Sequence, residues 1–250
     1  LLIKHINCKF KINSYLLHVL LATVCDVMPL RNFNRLISIN ALKDADINKI
    51  KFLKEIFQLN KKRNKINIDD LGFLIGPILN AGGRLGKSNY ATELLSTDNQ
   101  LLLNKRTKQL IKLNNQRKKI EEEIINKIDF SKIEKENHNI IIYYHPNINE
   151  GLIGIIAARL KDYFNKTSIV ITSSGNLLKG SARSNINYNI GHVIKKTLDK
   201  GIILNGGGHN MAAGFSLKKN KLKLFESFLN KDFSSKKKSD KNFFTYDSEI

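Results

Sequence analysis

The chain has 250 residues, with 42 lysine and arginine residues against 22 acidic ones and a formal net charge of +20. This excess favours a polyanionic partner such as nucleic acid, although a solvated lysine-rich surface would give the same charge. The two cysteines provide no disulfide framework. No apolar run reaches the roughly 18 residues of a membrane-spanning helix, so we expect a cytoplasmic protein without a membrane segment. Because Leu1 is not a methionine, we expect a piece of a longer protein.

The first part of the chain is predicted to be helical. The apolar segment 15–25 ends at Asp26, and regularly spaced apolar residues predict a helix over 46–59. A single carboxylate at the end of a helix is more often a cap or a turn former than a metal ligand, because a divalent cation needs several ligands. Spacing alone therefore leaves the role of Asp26 open and favours the cap.

Glycine and proline interrupt the chain at residues 76–88, where we expect a loop instead of a helix. Asn80 and Arg84 lie within this predicted loop. Arginine suits phosphate, because its guanidinium donates two parallel hydrogen bonds. The alternative is a turn between helices that carries an exposed arginine.

Residues 98–128 contain no glycine or proline. Their apolar residues form a broken stripe, which predicts one amphipathic helix about 45 Å long. A helix of this length between glycine-rich segments is typical of a domain connector. A coiled-coil arm is the alternative, and it is weaker because the stripe covers few heptads.

From residue 139 onward the pattern is α/β. Apolar and β-branched runs predict strands at 139–144, 168–172 and 177–184. On the third strand Ser181 and Arg183 are two residues apart, so their side chains point to the same face. They can offer a hydroxyl and a guanidinium to one anion.

A run of glycines, Gly206, Gly207 and Gly208, precedes His209. Glycines in series supply no side chain to a core, so we expect a loop whose N–H groups form an anion-binding concavity. His209 adds a hydrogen-bond donor that can gain charge near neutral pH. A tight turn with an incidental histidine is equally consistent with this stretch alone.

These motifs together resemble the DHH phosphoesterase superfamily, in its branch of single-stranded-DNA-specific 5′-to-3′ exonucleases. The matching segments occur in the family's order and are 23–30 with 34–35, 76–85, 180–184 and 207–214. The resemblance runs from about residue 16 to residue 229.

The resemblance implies an α/β protein with three parts and a tail. Residues 1–97 would be the mostly helical end of a DHH catalytic domain, and residues 98–136 a long connecting helix. Residues 137–232 would be a smaller α/β DHHA1 substrate-binding domain with a mixed sheet. Residues 233–250 would be a linker toward an oligonucleotide-binding barrel that the chain does not contain.

The resemblance also implies two catalytic residues, Asp26 and His209. Asp26 matches a ligand of a Mn²⁺ or Mg²⁺ pair, and the remaining ligands would come from sequence before Leu1. His209 would contact the substrate from the DHHA1 side. The Asp-His-His motif that names the superfamily is absent from the chain. We therefore expect the 250-residue chain alone to have no nuclease activity.

The remaining matched residues are implied to bind substrate. Asn80 and Arg84 match a motif near the substrate phosphates, and Ser181 with Arg183 matches one that helps hold the 5′ end of DNA. The glycines at 206–208 match a loop that closes on the active site.

The partner implied by the resemblance is single-stranded DNA, bound by a monomer, with a helicase and a single-strand-binding protein as possible protein partners. Two alternatives stay open. One is a phosphoesterase of the same superfamily that acts on short oligonucleotides or cyclic dinucleotides. The other is a non-catalytic nucleic-acid-binding module, which the positive charge alone would support.

Overall fold

The computed structural model describes residues 15–43, 45–62, 65–136, 138–185 and 187–235. The chain divides into two compact units between Lys118 and Lys119. This division falls inside the longest helix of the described chain, which has 28 residues, as the stretch without glycine or proline predicts. The tail predicted as a linker over 233–250 lies outside the described residues from 236 onward.

The first unit is helical. Its elements are α1 (Leu16–Cys25), α2 (Asn32–Lys43), a 3₁₀ turn (Ile47–Lys49), α3 (Lys51–Leu59), a π-helical segment (Asp70–Ile75), α4 (Gly76–Arg84), α5 (Asn89–Ser96) and the first part of α6 (Gln100–Lys127). Helical spacing of apolar residues builds the core, as α3 illustrates with Phe52, Leu53, Ile56 and Phe57 all buried. The helix predicted over 46–59 is in two pieces, because Ile50 adopts an extended conformation before α3.

Residues 76–84 form helix α4, so the prediction of a loop at this position is wrong. The helical backbone continues without a break from the π-helical segment into α4, and Pro77, which has no N–H to donate, lies at this junction. Gly82 serves close packing, since a Cβ at this position would lie 2.6 Å from the Lys87 carbonyl oxygen. The left-handed turn comes after the helix, at Gly86, with a φ of 77°.

The second unit is a mixed sheet with helices on both faces. Its elements are the end of α6, α7 (Phe130–Glu136), β1 (Ile140–Tyr144), α8 (Ile153–Phe164), β2 (Thr167–Ser174), β3 (Leu177–Arg183), α9 (Ile190–Asp199), β4 (Asn205–His209), β5 (Ala212–Lys218), a 3₁₀ turn (Lys219–Lys221) and α10 (Leu222–Ser235). The strand order is β1-β2-β3-β5-β4. The β1–β2 pair is parallel and the other pairs are antiparallel. The predicted α/β class with a mixed sheet is confirmed.

Alternation along the strands separates two cores in the second unit. Val170 of β2 packs with the buried side of α8, which includes Ile156. Its neighbour Ile169 points to the opposite face, where it packs with α9 and α10 through residues such as Val193 and Phe225. The sheet is therefore the middle of three layers, with α8 on one side and α9 and α10 on the other.

Residues 205–209 form the edge strand β4, so the prediction of a loop for the glycine run is wrong. None of the three glycines at 206–208 has a positive φ, and each adopts a strand conformation. At Gly206 glycine is required by packing instead, because a Cβ there would lie 2.9 Å from Ile194 Cγ2 and 3.0 Å from Phe215 Cβ. The glycine run lets α9 approach the sheet closely.

Candidate functional site

Asp26 lies at the C-terminal end of α1, where its N–H donates a hydrogen bond to the Ala22 carbonyl oxygen at 3.0 Å. Its side chain is exposed. The adjacent Cys25 packs against the start of α4, and a Cβ on Gly76 would lie 2.6 Å from the Cys25 Sγ. Glycine at this position allows the close approach. The first unit therefore presents Asp26 near the N-terminal end of α4.

Asn80 and Arg84 are brought together by helix α4 and not by a loop. Residues four apart on a helix lie on the same face, so the two side chains are neighbours. Asn80 is exposed, and Arg84 is half-buried in the last turn. An amide and a guanidinium on one helix face form a suitable surface for phosphate groups.

The described residues do not complete a metal site. A divalent cation needs several oxygen or imidazole ligands around it. No group of three or more His, Cys, Asp or Glu side chains suitable for a metal ion occurs in the described parts of the chain. Asp26 offers a single carboxylate at its place in the fold, and no reaction step through a metal follows from this arrangement.

The second unit brings Ser181 and Arg183 together on one face of β3, as their spacing predicts. Arg183 Nη1 donates hydrogen bonds to Ser181 Oγ at 3.1 Å and to the Ala182 carbonyl oxygen at 2.9 Å. The start of α8 lies against them, because a Cβ on Gly154 would be 3.0 Å from Arg183 Nη2 and 3.1 Å from Ser181 Oγ. The first turn of α8, which carries the positive end of the helix dipole, therefore lies beside this pair.

Arg183 is a half-buried cation of the second unit. No carboxylate pairs with it among the residues that the structure describes, and only its Nη1 has a hydrogen-bond acceptor there. Burial lowers the pKa of the Arg183 guanidinium from its usual value, because leaving water disfavours the charged form. The group still carries its charge at neutral pH. A positive charge in this setting is stabilised by an anion.

Strand register places His209 on the same face as Arg183. Arg183 pairs with Ala212 on β5, and Ala212 pairs with His209 on β4. Directly paired residues share a face of the sheet, and neighbouring strands are about 4.8 Å apart, so the Arg183 and His209 Cα atoms are about 10 Å apart. The His209 side chain is exposed.

The neighbouring cross-strand row of residues carries two glycines, so the sheet surface there is bare. Ser181 pairs with Gly214, and Gly214 pairs with Gly207. Nothing in the described chain lies within 4 Å of a Cβ placed on Gly207, and the nearest atom to one on Gly214 is 3.9 Å away. Ser181, Arg183 and His209 thus border a floor made of backbone alone. Such a floor lets a ligand come close to main-chain atoms.

The start of α9 holds the β4–β5 turn in place, a feature that sequence reasoning missed. The Ile190 N–H donates to the Asn210 carbonyl oxygen at 3.1 Å, and Asn189 Nδ2 donates to Asn210 Oδ1 at 2.8 Å. Gly191 packs on the backbone of β4, since a Cβ there would lie 2.7 Å from the His209 carbonyl oxygen. The sequence signal for this helix start was Asn189, an asparagine that caps an apolar helix.

Comparison with known proteins identifies the family. Residues 137–235 match the DHHA1 domain. The chain is 36% identical over 220 residues to the single-stranded-DNA-specific exonuclease RecJ of Escherichia coli, covering 83% of this chain and 38% of that protein. It is 30% identical to the Bacillus subtilis protein of the same name, covering 79% of this chain and 25% of the relative.

Solved structures support the same fold. The crystal structure of RecJ in complex with Mn²⁺ from Thermus thermophilus superposes with a TM-score of 0.80 at 22% identity, covering 93% of this chain and 34% of that one. Within the described residues no helix is long and apolar enough to cross a membrane. The chain spans less than two fifths of the length of the Escherichia coli relative. It belongs to the RecJ family of DHH phosphoesterases, with a DHHA1 domain in its second half.

Proposed function

We propose that this chain is part of a metal-dependent 5′-to-3′ exonuclease that hydrolyses phosphodiester bonds of single-stranded DNA in repair and recombination. Residues 1–97 would end the catalytic DHH domain, 98–136 connect it, and 137–232 bind substrate. The curated relatives are named single-stranded-DNA-specific exonucleases, and they are much longer than the chain. The activity is therefore assigned to the complete protein, and the 250-residue chain alone is expected to be inactive.

The observation that carries this proposal is the half-buried Arg183. Burying a charge without a counter-charge is unfavourable, and a phosphate bound there would remove the penalty. Ser181 supplies a hydroxyl donor, and the first turn of α8 lies beside it, where the positive end of the helix dipole favours an anion. A terminal phosphate of a DNA strand fits these donors, with the strand passing over the bare floor at Gly207 and Gly214.

The other proposed roles are those that the resemblance to the family implies. His209 would contact a phosphate oxygen near the scissile bond, and Asn80 with Arg84 would hold neighbouring phosphates. Asp26 would give one ligand to Mn²⁺ or Mg²⁺, with the other ligands from sequence outside the described residues. These ions would activate water and stabilise charge on the phosphate. The complete protein would act as a cytoplasmic monomer alongside a helicase and a single-strand-binding protein.

Replacing Arg183 tests the proposal in the complete protein. We expect Arg183→Ala to lower kcat/KM on 5′-phosphorylated single-stranded DNA by about 100-fold, because a charged group at a phosphate is lost. Arg183→Lys should recover part of the activity, since it restores the charge without the fork. Lys218→Ala is the matched control, a cationic residue about 20 Å away along β5.

Three results would contradict the proposal. A parent protein that binds single-stranded DNA but releases no nucleotides with Mn²⁺ or Mg²⁺ would indicate a binding module. A parent that degrades only very short oligonucleotides or cyclic dinucleotides would indicate the small-substrate phosphoesterases. Full activity of Arg183→Ala on long strands would remove the phosphate role of this site.

A further inference from the structure

Val27, which directly follows Asp26, has a backbone conformation that valine rarely adopts. Its φ is 55°, in the left-handed region. A branched Cβ makes this region more unfavourable for valine than for most residues. Val27 is also 87% exposed, so packing within the described chain does little to offset the strain.

The strain arises from the way in which α1 ends. The Val27 N–H donates to the Val24 carbonyl oxygen at 3.1 Å, and the Met28 N–H donates to the Thr23 carbonyl oxygen at 3.0 Å. This pair of hydrogen bonds is the Schellman motif, whose left-handed position is usually glycine.

The same motif closes two other helices of this chain, with different residues at the left-handed position. In α9 that position is Gly201, whose φ is 63°. In α3 it is Lys61, whose φ is 53° and whose N–H donates to the Gln58 carbonyl oxygen at 3.2 Å. Lysine is unbranched at Cβ, so Val27 is the most strained of these helix ends. It is also the one that borders a candidate catalytic carboxylate.

We propose that Val27 is a positioning residue for Asp26, kept at a cost in stability because its branched side chain restricts the backbone that carries the carboxylate. Within the left-handed region valine has a narrow range of allowed φ and ψ, whereas glycine has a wide one. With glycine at position 27 the Schellman bonds could form over a broader set of conformations. The direction of the Asp26 side chain would then be less well defined. This inference rests on the proposed function of Asp26.

The prediction is that stability and turnover change in opposite directions. In the complete protein, Val27→Gly should raise the Tm by roughly 2–4 °C, because the left-handed strain is relieved. It should lower kcat about tenfold with little change in KM, because a poorly directed catalytic group slows the reaction step. A residue with a merely structural role would not give this combination.

Lys61→Gly is the matched control. It relieves the strain of the same left-handed backbone conformation in the same motif, at the end of a different helix. It should raise the Tm by a similar amount and leave kcat and KM at the values of the parent. Thermal unfolding and steady-state release of nucleotides from single-stranded DNA measure both effects on the same preparations.

The possible results separate this inference from the proposed function. If the parent releases nucleotides and Val27→Gly raises the Tm with kcat unchanged, the positioning role is wrong while the exonuclease proposal stands. If Val27→Gly fails to raise the Tm, the side chain is a packing residue and the inference is also wrong. A parent without metal-dependent activity overturns the proposed function itself.

Discussion

The two units of this molecule arrange their candidate residues in different ways. In the first unit Asp26 lies at a helix end and Asn80 and Arg84 on the face of another helix. In the second unit Ser181, Arg183 and His209 lie on neighbouring strands of one sheet, and the pairing register determines which side chains share a face. The regular pairing of strands thus fixes which residues far apart in sequence become neighbours, whereas packed helices have no such regular pairing.

This difference affects what each unit can do by itself. The sheet gathers a guanidinium, a hydroxyl and an imidazole around a bare backbone floor, and these groups are suited to binding an anion. The described residues of the helical unit offer Asp26 without the cluster of further ligands that a metal needs. We therefore expect the second unit to hold the end of the DNA strand, and the first to supply one carboxylate for the chemistry together with further phosphate contacts from Asn80 and Arg84.

The largest effect should come from the helical unit. In the complete protein, Asp26→Ala should lower kcat by about 1,000-fold or more, because a preorganised charged group at the reaction centre is lost. Binding of single-stranded DNA should change little, since the sheet of the second unit is untouched. The rate of nucleotide release measures kcat, and fluorescence anisotropy measures the binding of single-stranded DNA. Asp98→Ala, which removes a fully exposed carboxylate of the same unit, is the control. Normal turnover by Asp26→Ala would contradict the division of roles between the two units.

The sequence predicted the parts of the site that depend on periodicity. The two-residue spacing of Ser181 and Arg183 predicts a common face once a strand is assumed, and the structure has that strand. The stretch of residues 98–128 without glycine or proline likewise predicts the long helix α6. Local patterns of this kind need no knowledge of the rest of the fold.

The glycine-rich segments could not be predicted correctly, because glycine gives one signal for two physical situations. A turn needs glycine for its backbone freedom, and close packing needs it for the missing side chain. Gly206 is of the second kind, and the atoms that require it belong to Ile194, Ile203 and Phe215. These partners are known only from the tertiary fold. The same applies to Gly82, which lies in a helix against the Lys87 carbonyl oxygen.

Neighbouring glycines of β4 give a second, smaller test. Gly207→Ala should leave the Tm unchanged, because no described atom lies within 4 Å of the added Cβ. It should raise KM for single-stranded DNA about tenfold, because the added methyl group occupies part of the bare backbone surface over which the strand would pass. Gly206→Ala should instead lower stability by about 1–3 kcal/mol, because its Cβ would clash with Ile203 and Ile194. Equal effects of both variants on stability would mean that the edge strand does not present alternate faces as described.

The smallest expected effect concerns a buried polar atom of the helical unit. Among the described residues of the sheet unit, buried polar side-chain atoms have hydrogen-bond partners, as Thr167 and Ser184 illustrate with hydroxyl oxygens 2.7 Å apart. In the helical unit the Nδ1 atom of His18 is buried and has no hydrogen-bond partner among the described residues. Its ring lies 5.6 Å from that of Phe52, and burial lowers the pKa of His18 below its usual value of 6.5.

A lowered pKa for a base means that the unfolded chain binds the proton more readily than the folded one. His18 therefore leaves stability intact above about pH 6.5 and reduces it as the pH falls below that value. We expect His18→Leu to reduce the drop in Tm between pH 8 and pH 5 by roughly 2–4 °C, because leucine has no proton to gain. His192→Leu, at an exposed position on α9, should leave that drop unchanged. If His18→Leu shows the same pH dependence as the parent, the imidazole is already solvated or partnered, and the contrast between the two units in satisfying buried polar groups is lost.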